Sequence, residues 1–481
     1  MRLLVRGGTL VSPGGQRRAD VLCEDGRIAA LLGAGEPVRA DEELDASGRL
    51  VFPGFIDPHV HTRDPGDTQK EDFAHATRAA AAGGVTTVLV MPNAVPPVTD
   101  VPSFRQRASE HGEVAFVDFG LWALSLGLSN VGEIAGLFAE GAVAMKLFWG
   151  YALDRQTLRL VYNTDDYAAA DMIAPATNGE VIQVFQAIAG ARGLLAAHCE
   201  DREILDVAQR QLGHAPTAYS ELVVARPDVA EACSVAVGIE LARATGCRFH
   251  VAHISSQRAV HLVSAAIGDG ISVSAETCPH YLTFVAEDCK GRDSAMKAFP
   301  PVRTRRDQEA LWQGVRDGTI TSMGSDHAPH TLADKSLPFS HAPAGMVAVE
   351  TMVPLMLDRM CSGQITAERL SWILSEGTAR LYGLYPGKGA LEPGSDADMT
   401  LVDPSMQWTI RGEALHSKQR HTPWEGTAVH GAPVVSILRG EVVMRDREPV
   451  GEARGRLVKP TALPSTVDSG MMRLGVTAGA Q

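Results

Sequence analysis

Apolar and polar positions along this chain alternate in two rhythms, one at the ends and one in the middle. Residues 2–50 hold short apolar runs punctuated by Gly and Asp: Leu3–Val5, Thr9–Val11, Val21–Cys23 and Ile28–Leu32. The same texture returns over 390–450 in Met399–Val402, Val434–Leu438 and Glu441–Met444. Such runs bounded by turn residues predict strands. Between them, short apolar runs alternate with longer amphipathic stretches, the pattern of βα units and a parallel sheet. Eight strands are predicted: Phe55–Asp57, Thr87–Met91, Ala115–Phe119, Ala144–Phe148, Leu194–Ala197, Phe249–Ala252, Ile271–Ala275 and Thr319–Met323. Helical periodicity separates them over Asp72–Ala82, Val181–Ala191, Ala230–Ala244 and Asp307–Val315.

Eight parallel strands in series predict an α/β fold, a closed (β/α)8 TIM-type barrel over residues 53–389. Neither end has enough strands to bury a face alone. Residues 1–52 and 390–455 are therefore expected to build one small β-sandwich together, followed by a C-terminal tail over 456–481. No internal repeat or low-complexity tract interrupts this plan.

Composition narrows the class. The 481 residues are 45% hydrophobic and 21% charged, a globular balance. The formal net charge of −13 leaves no basic footprint for nucleic acid or an anionic membrane. The N-terminus reads as a strand and a turn, without a signal peptide, and no run is long enough to span a bilayer. Seven scattered cysteines without a CxxC pair suit a reducing compartment. A cytoplasmic protein with no nucleic-acid or membrane partner is expected.

Chemistry gathers at the ends of the predicted strands, the rim where barrel enzymes carry their sites. His59 and His61 follow the first strand, and alternation puts them on one face. Lys146 lies in the fourth, His198 ends the fifth, His253 follows the sixth and Asp326 the eighth. Taken singly, a strand-end histidine is more often structural or solvated, and Asp326 could be a helix cap. Lys146 is odd in a strand, because desolvating an ammonium is costly. Together on one rim, imidazole nitrogens and a carboxylate make a divalent-metal site.

The segments GFIDPHVHTRDPG (54–66), MPN (91–93), MKLFWGY (145–151), AAHCED (196–201), VAHIS (251–255), ETCPHYL (276–282), PPVR (300–303) and GSDHAPH (324–330) run in the order of the cyclic amidohydrolases. The chain resembles that family, which includes dihydroorotases, allantoinases and hydantoinases (dihydropyrimidinases), over nearly its whole length. The resemblance implies two Zn2+ or similar divalent ions. One is held by His59, His61 and Asp326 and the other by His198 and His253. Lys146, carboxylated on its side-chain nitrogen, bridges them. Its ammonium then becomes a metal-bound anion, which removes the desolvation objection. Asp326 is the expected general base, and His280 is placed behind the ligands or in the wall. By the same resemblance the partner is a small cyclic amide and the chain is a homo-oligomer, a dimer or tetramer.

The identity of the ring is divided between two sets of residues. Arg63 lies two residues after His61, can face the same cavity and can grip a carboxylate bidentately; bracing a loop through Asp64 or Asp67 is its alternative. It resembles the substrate-binding arginine of dihydroorotases, and Asn93 and His330 match that family's other carboxylate contacts. Tyr151, five residues after Lys146, instead matches a hydantoinase tyrosine that steadies the oxyanion. Phe299 stands before PPVR, where dihydroorotases usually place asparagine. The stretch Tyr162–Glu180 fits as a lid or a longer loop. The leading expectation is a dihydroorotase, converting L-dihydroorotate and water reversibly to N-carbamoyl-L-aspartate in pyrimidine biosynthesis. Allantoinase or hydantoinase activity is the alternative. A non-catalytic hydantoinase-like assembly protein would lack ligands that are all present here. A deacetylase of the wider superfamily usually lacks the Arg-Asp-Pro-Gly continuation after HxH.

Overall fold

In a computed structural model of the protein, residues 2–161, 169 and 171–461 are described. Strands Phe55–Val60, Val85–Val90 and Asp118–Leu121 pair side by side in parallel. Strands Ala123–Leu124, Met145–Trp149, Leu194–Cys199, Arg248–Val251, Val273–Thr277 and Ser322–Met323 form a second parallel series in chain order. Only Trp122 separates the two series, and its N–H donates to Val90 O at 3.1 Å. At the other edge Val60 pairs in parallel with His327, and the His61 N–H donates to His327 O at 2.8 Å. The strand series therefore meet at both edges.

The intervening helices follow from their sequence. In Asn178–Gly190, the Thr177 hydroxyl accepts from the Glu180 N–H and the Glu180 carboxylate reaches back, a capping box. Such a cap stabilises a helix by about 1 kcal/mol. Val181, Val184, Phe185 and Ile188 recur at helical spacing and are buried. Arg305–Asp317 starts the same way, with Thr304 and Asp307 capping each other. Of the parallel strands, Val85–Val90 is buried throughout, and its sequence VTTVLV does not alternate between apolar and charged residues.

Several predicted strand edges shift. Pairing starts at Asp118, not Ala115, although Ala115–Val117 are buried. The Ala115 carbonyl accepts from Gly455 N–H at 2.7 Å, and the Phe116 N–H donates to the Thr77 hydroxyl. The run Ile271–Ala275 becomes Val273–Thr277, extending into buried Glu276 and Thr277, and Thr319–Met323 shrinks to Ser322–Met323.

The chain ends share one sheet. Leu50–Pro53 pairs antiparallel with Met399–Thr409, Leu401 opposite Val51, within a seven-stranded sheet. A four-stranded sheet holds Arg27–Leu32, Asp20–Glu24, Arg2–Arg6 and Glu42–Asp45. Leu3, Val5, Val21, Val51, Leu401 and Ile437 pack into one apolar core. Buried Lys388 ties this region to the parallel strands, its Nζ 2.5 Å from Asp118, 3.0 Å from Asp396 and 2.6 Å from Asp398. The first tail residues lie on the same strand, with the Val458 N–H on Phe119 O at 2.7 Å. Residues 462–481 lie outside the described residues.

After Met145–Trp149 comes a small antiparallel sheet, in which Ala152–Asp154 pairs with Leu160–Val161 and with Met172–Ile173. Arg159 Nη1 meets Asp67 Oδ2 at 3.0 Å, pinning the insert to the loop that carries Arg63. Of the expected lid over 162–180, residues 162–168 and 170 lie outside the described residues; the rest gives Met172–Ile173 and the start of Asn178–Gly190.

Candidate active site

The parallel strands deliver the metal-ligand candidates to one place. His59 is within Phe55–Val60, His61 follows it, and their ring centroids lie 5.3 Å apart. Asp326 Oδ1 is 3.4 Å from His59 Nε2 and 3.3 Å from His61 Nε2. Donor atoms of these three residues all lie within 4.8 Å of one another, a set able to hold a metal ion. His198 is the penultimate residue of its strand, opposite Phe148 and two residues beyond the Lys146–Ala196 pair. His198 Nδ1 faces His253 Nε2 at 3.1 Å, and the His59 and His253 rings are 5.4 Å apart.

Each histidine is held by its other nitrogen. His59 Nδ1 meets buried Glu276 Oε1 at 2.6 Å, and His61 Nδ1 meets Asn93 Oδ1 at 2.7 Å. Carboxylate and amide oxygens only accept, so these Nδ1 atoms carry the protons and both Nε2 lone pairs point towards Asp326. His198 reverses the pattern: Nε2 donates to Glu200 Oε2 at 2.8 Å, leaving Nδ1 towards His253. Asn93, expected to touch substrate, thus also orients a ligand candidate.

Lys146 is fully buried, and its Nζ has no hydrogen-bond partner among the described residues. Burial pulls its pKa down to about 8, against the pull of Glu276 and Asp326. An amine lowered to about 8 gives up its proton more readily than an ordinary lysine, which suits carboxylation, and the product would supply the oxygen ligands that His198 and His253 lack as a pair. Burial also drives His61 down to about 4 and His198 and His253 below the usual imidazole value, so these rings are neutral and able to ligate. Asp326 goes the other way: burial pushes it up, but His59 and His61 hold it well below the carboxylate range. The residues present therefore fit a divalent-metal centre.

The site carries strained backbone. Arg63, His253 and Asp326 adopt φ of 58°, 38° and 47°, a region that side chains rarely enter. Gly324 permits the approach of the last strand: a Cβ there would lie 2.6 Å from His59 Cβ and 3.1 Å from the Glu276 carboxylate.

A cavity of about 350 Å³ opens beside the histidines, lined by Arg63, Asn93, Arg159, Lys297, Phe299 and His330 among others. Arg63 Nε donates to Pro329 O at 3.2 Å and its Nη2 lies 3.3 Å from His330 Nε2. Asp67 pairs with Arg159 and Lys70, and Asp64 accepts from the Phe73 N–H. Tyr151 packs its ring 4.8 Å from that of His198; its hydroxyl donates to Glu200 Oε2 at 3.3 Å and accepts from Arg226. His280 is buried, with both ring nitrogens unpartnered among the described residues; burial takes its pKa to about 4.

Three participants were missed from the sequence. Glu200 and Glu276 sit inside segments already singled out, and Glu200 is two residues after His198, a spacing that returns to the same face. Arg226, fully buried, holds Glu200 through Nε at 3.1 Å and Nη2 at 2.5 Å and stacks 3.8 Å over the Phe299 ring. No motif marks it.

Residues 50–443 match the model of the Amidohydrolase family. The chain is 38% identical to an allantoinase of Rubrobacter xylanophilus, over 95% of this chain and 97% of that relative. It is 36% identical to a dihydroorotase of Pelotomaculum thermopropionicum, over 93% and 99% respectively. Among solved structures it is similar to the L-hydantoinase (dihydropyrimidinase) of Arthrobacter aurescens, with a TM-score of 0.89 and 30% identity, covering 95% of this chain and 99% of that one. No helix among the described residues is long and apolar enough to cross a membrane. With its histidines, buried lysine and aspartate assembled and relatives of these three kinds along its length, the chain belongs to the amidohydrolase family, as a cyclic amidohydrolase.

Proposed function

We propose that the protein opens a cyclic amide bearing a carboxylate, as in the reversible conversion of L-dihydroorotate to N-carbamoyl-L-aspartate. The observation that carries this reading is one cavity holding Arg63, Asn93 and His330 beside the histidine cluster. Arg63 offers the planar fork that matches a carboxylate. The same reading closes the parallel strands into a (β/α)8 barrel over 53–389, supported by the Val60–His327 pairing. It assigns 1–52 and 390–455 to a β-sandwich, supported by their shared sheet.

His59, His61 and Asp326 would hold one divalent ion, zinc on this reading, and His198 and His253 a second, with carboxylated Lys146 serving both. Such ions supply Lewis acidity and lower the pKa of the attacking water. The chain's own part is then to move one proton. Asp326, kept ionised by its histidine neighbours, accepts the proton from the water on a carboxylate oxygen. It delivers that proton to the ring nitrogen as the C–N bond breaks, so the nitrogen leaves neutral. Asn93, Glu276 and Glu200 hold the imidazoles in their tautomers throughout.

A neutral ring, as in an allantoinase or hydantoinase, is the second reading. It is favoured by Tyr151 against His198 and by Phe299 in the cavity wall. Arg63→Met separates the two. The first reading predicts that kcat/KM falls by about a hundredfold for L-dihydroorotate and far less for dihydrouracil, since a charge-assisted pair contributes roughly 1.5–3 kcal/mol. Equal losses on both rings would make Arg63 structural and remove the basis for a carboxylate substrate.

A further inference from the structure

A second, larger cavity of about 820 Å³ adjoins the first, and Lys297, Phe299 and Ser340 line both. Arg63, Asn93 and His330 line only the smaller one, whereas Arg202, Arg210 and Arg226 line only the larger. A substituent reaching from the ring-binding cavity towards the larger one therefore passes Lys297.

Lys297 is an unusual wall residue. It is 7% exposed, and its Nζ donates to Phe339 O at 2.7 Å and lies 4.8 Å from the centre of the Phe339 ring. Among the described residues no carboxylate lies within ion-pair distance of it. Contrast buried Lys388, which meets three aspartates. A buried cation without an anionic neighbour is costly unless a ligand brings one. Burial, then Arg226, already lowers its pKa to about 8, so near neutral pH it is mostly charged. Of the arginines of the larger cavity, Arg226 is bound to Glu200 and Arg202 pairs with Asp206, while Arg210 is exposed.

Building on the carboxylate-bearing ring proposed above, we propose that Lys297 is a specificity-determining residue that recognises an acidic group carried on a side arm of the ring. The substrate class is a cyclic ureide with a carboxylate on a short aliphatic arm, such as 5-(2-carboxyethyl)hydantoin. Water adds across its ring amide, hydroxyl to the carbonyl carbon and proton to the ring nitrogen, giving N-carbamoyl-glutamate. Arg63 selects a carboxylate held on the ring itself; Lys297 selects one held further out.

The test compares the metal-supplied full-length enzyme with Lys297→Met, Lys297→Gln, Lys297→Arg and Arg63→Met. The readouts are kcat/KM on 5-(2-carboxyethyl)hydantoin, L-dihydroorotate and the neutral ring dihydrouracil, and calorimetric binding of N-carbamoyl-L-glutamate and N-carbamoyl-L-aspartate. The expected result is that the ratio of long-arm to short-arm kcat/KM, and of the two affinities, falls about tenfold in both neutral variants and recovers in Lys297→Arg. Gln keeps a donor for Phe339 O, so a loss shared with Met belongs to the charge. An unchanged ratio in Lys297→Met and Lys297→Gln overturns the proposal. So does a wild-type enzyme that neither turns over the long-arm ring nor binds its product. If Arg63→Met fails to discriminate carboxylate-bearing from neutral rings, the substrate reading itself fails, a result distinct from either outcome at Lys297.

Discussion

His198 Nδ1 and His253 Nε2 face each other at 3.1 Å, and His198 is fixed there because its other nitrogen is bound to Glu200. Glu200 is in turn clamped by Arg226, and burial that would protonate it is overcome by the Arg226 charge. The pose of one ligand candidate thus depends on an ion pair one residue layer behind it. Glu200→Gln is expected to weaken metal binding and activity by about 10–100-fold, the usual cost of losing such a partner. Metal content after dialysis, measured beside kcat, checks it. Retained metal with unchanged kcat would make the ion pair purely structural.

Lys146→Ala is expected to abolish both activity and retention of two metal ions. Short carboxylic acids should restore part of the activity, because they can occupy the space of the lost carbamate. Full metal occupancy in the alanine variant would contradict the bridging role.

Gly324→Ala should disturb the centre without replacing any ligand candidate. The added methyl would meet His59 Cβ at 2.6 Å and the Glu276 carboxylate at 3.1 Å, so strand or histidine must shift. We expect at least about a hundredfold loss of kcat, as small misplacements in catalytic sites produce. Wild-type kinetics with an unaltered melting temperature would show that the backbone absorbs the methyl.

His416 links the protein's stability to pH. Its Nδ1 meets Glu350 at 3.1 Å and its Nε2 meets Glu448 at 3.1 Å, and the bond to Glu350 raises its pKa above the usual 6.5. A raised folded pKa gives stability that is complete below 6.5 and is lost as pH rises through the folded value. The melting-temperature difference between wild type and His416→Gln should therefore be largest near about pH 6 and shrink towards about pH 9. A difference that grows with pH would contradict the assignment.

The sequence was most informative where position along a strand decides position in space. His59 and His61 alternate onto one face, Lys146 lies within a parallel strand, and His198, His253 and Asp326 lie near or just beyond the ends of theirs; the structure sets Asp326 beside His59 and His61, and His198 beside His253. Glu200 obeys the same two-residue rule and was within reach of it. Arg226 was not, because it ends a helix far along the chain and meets Glu200 only through the tertiary fold. Strand edges slipped where apolar runs report burial and not pairing. Ala115–Val117 are buried against the C-terminal segment and the Thr77 helix without joining a ladder. Tyr151 shows another limit: its spacing from Lys146 matched a hydantoinase tyrosine, but its packing against His198 and its hydroxyl partners, Glu200 and Arg226, were not visible in any motif.

The central claim is metal-dependent opening of a carboxylate-bearing ring, and one measurement reaches it directly. Purified protein, stripped of metal and resupplied with zinc and bicarbonate, is assayed on L-dihydroorotate, allantoin and dihydrouracil in parallel. The account predicts turnover of L-dihydroorotate well above both neutral rings, lost on stripping and regained on resupply. Turnover of a neutral ring alone would contradict the carboxylate reading and shift the substrate assignment towards Tyr151 and Phe299. Turnover that survives complete metal removal would contradict the role given to the histidines and Lys146.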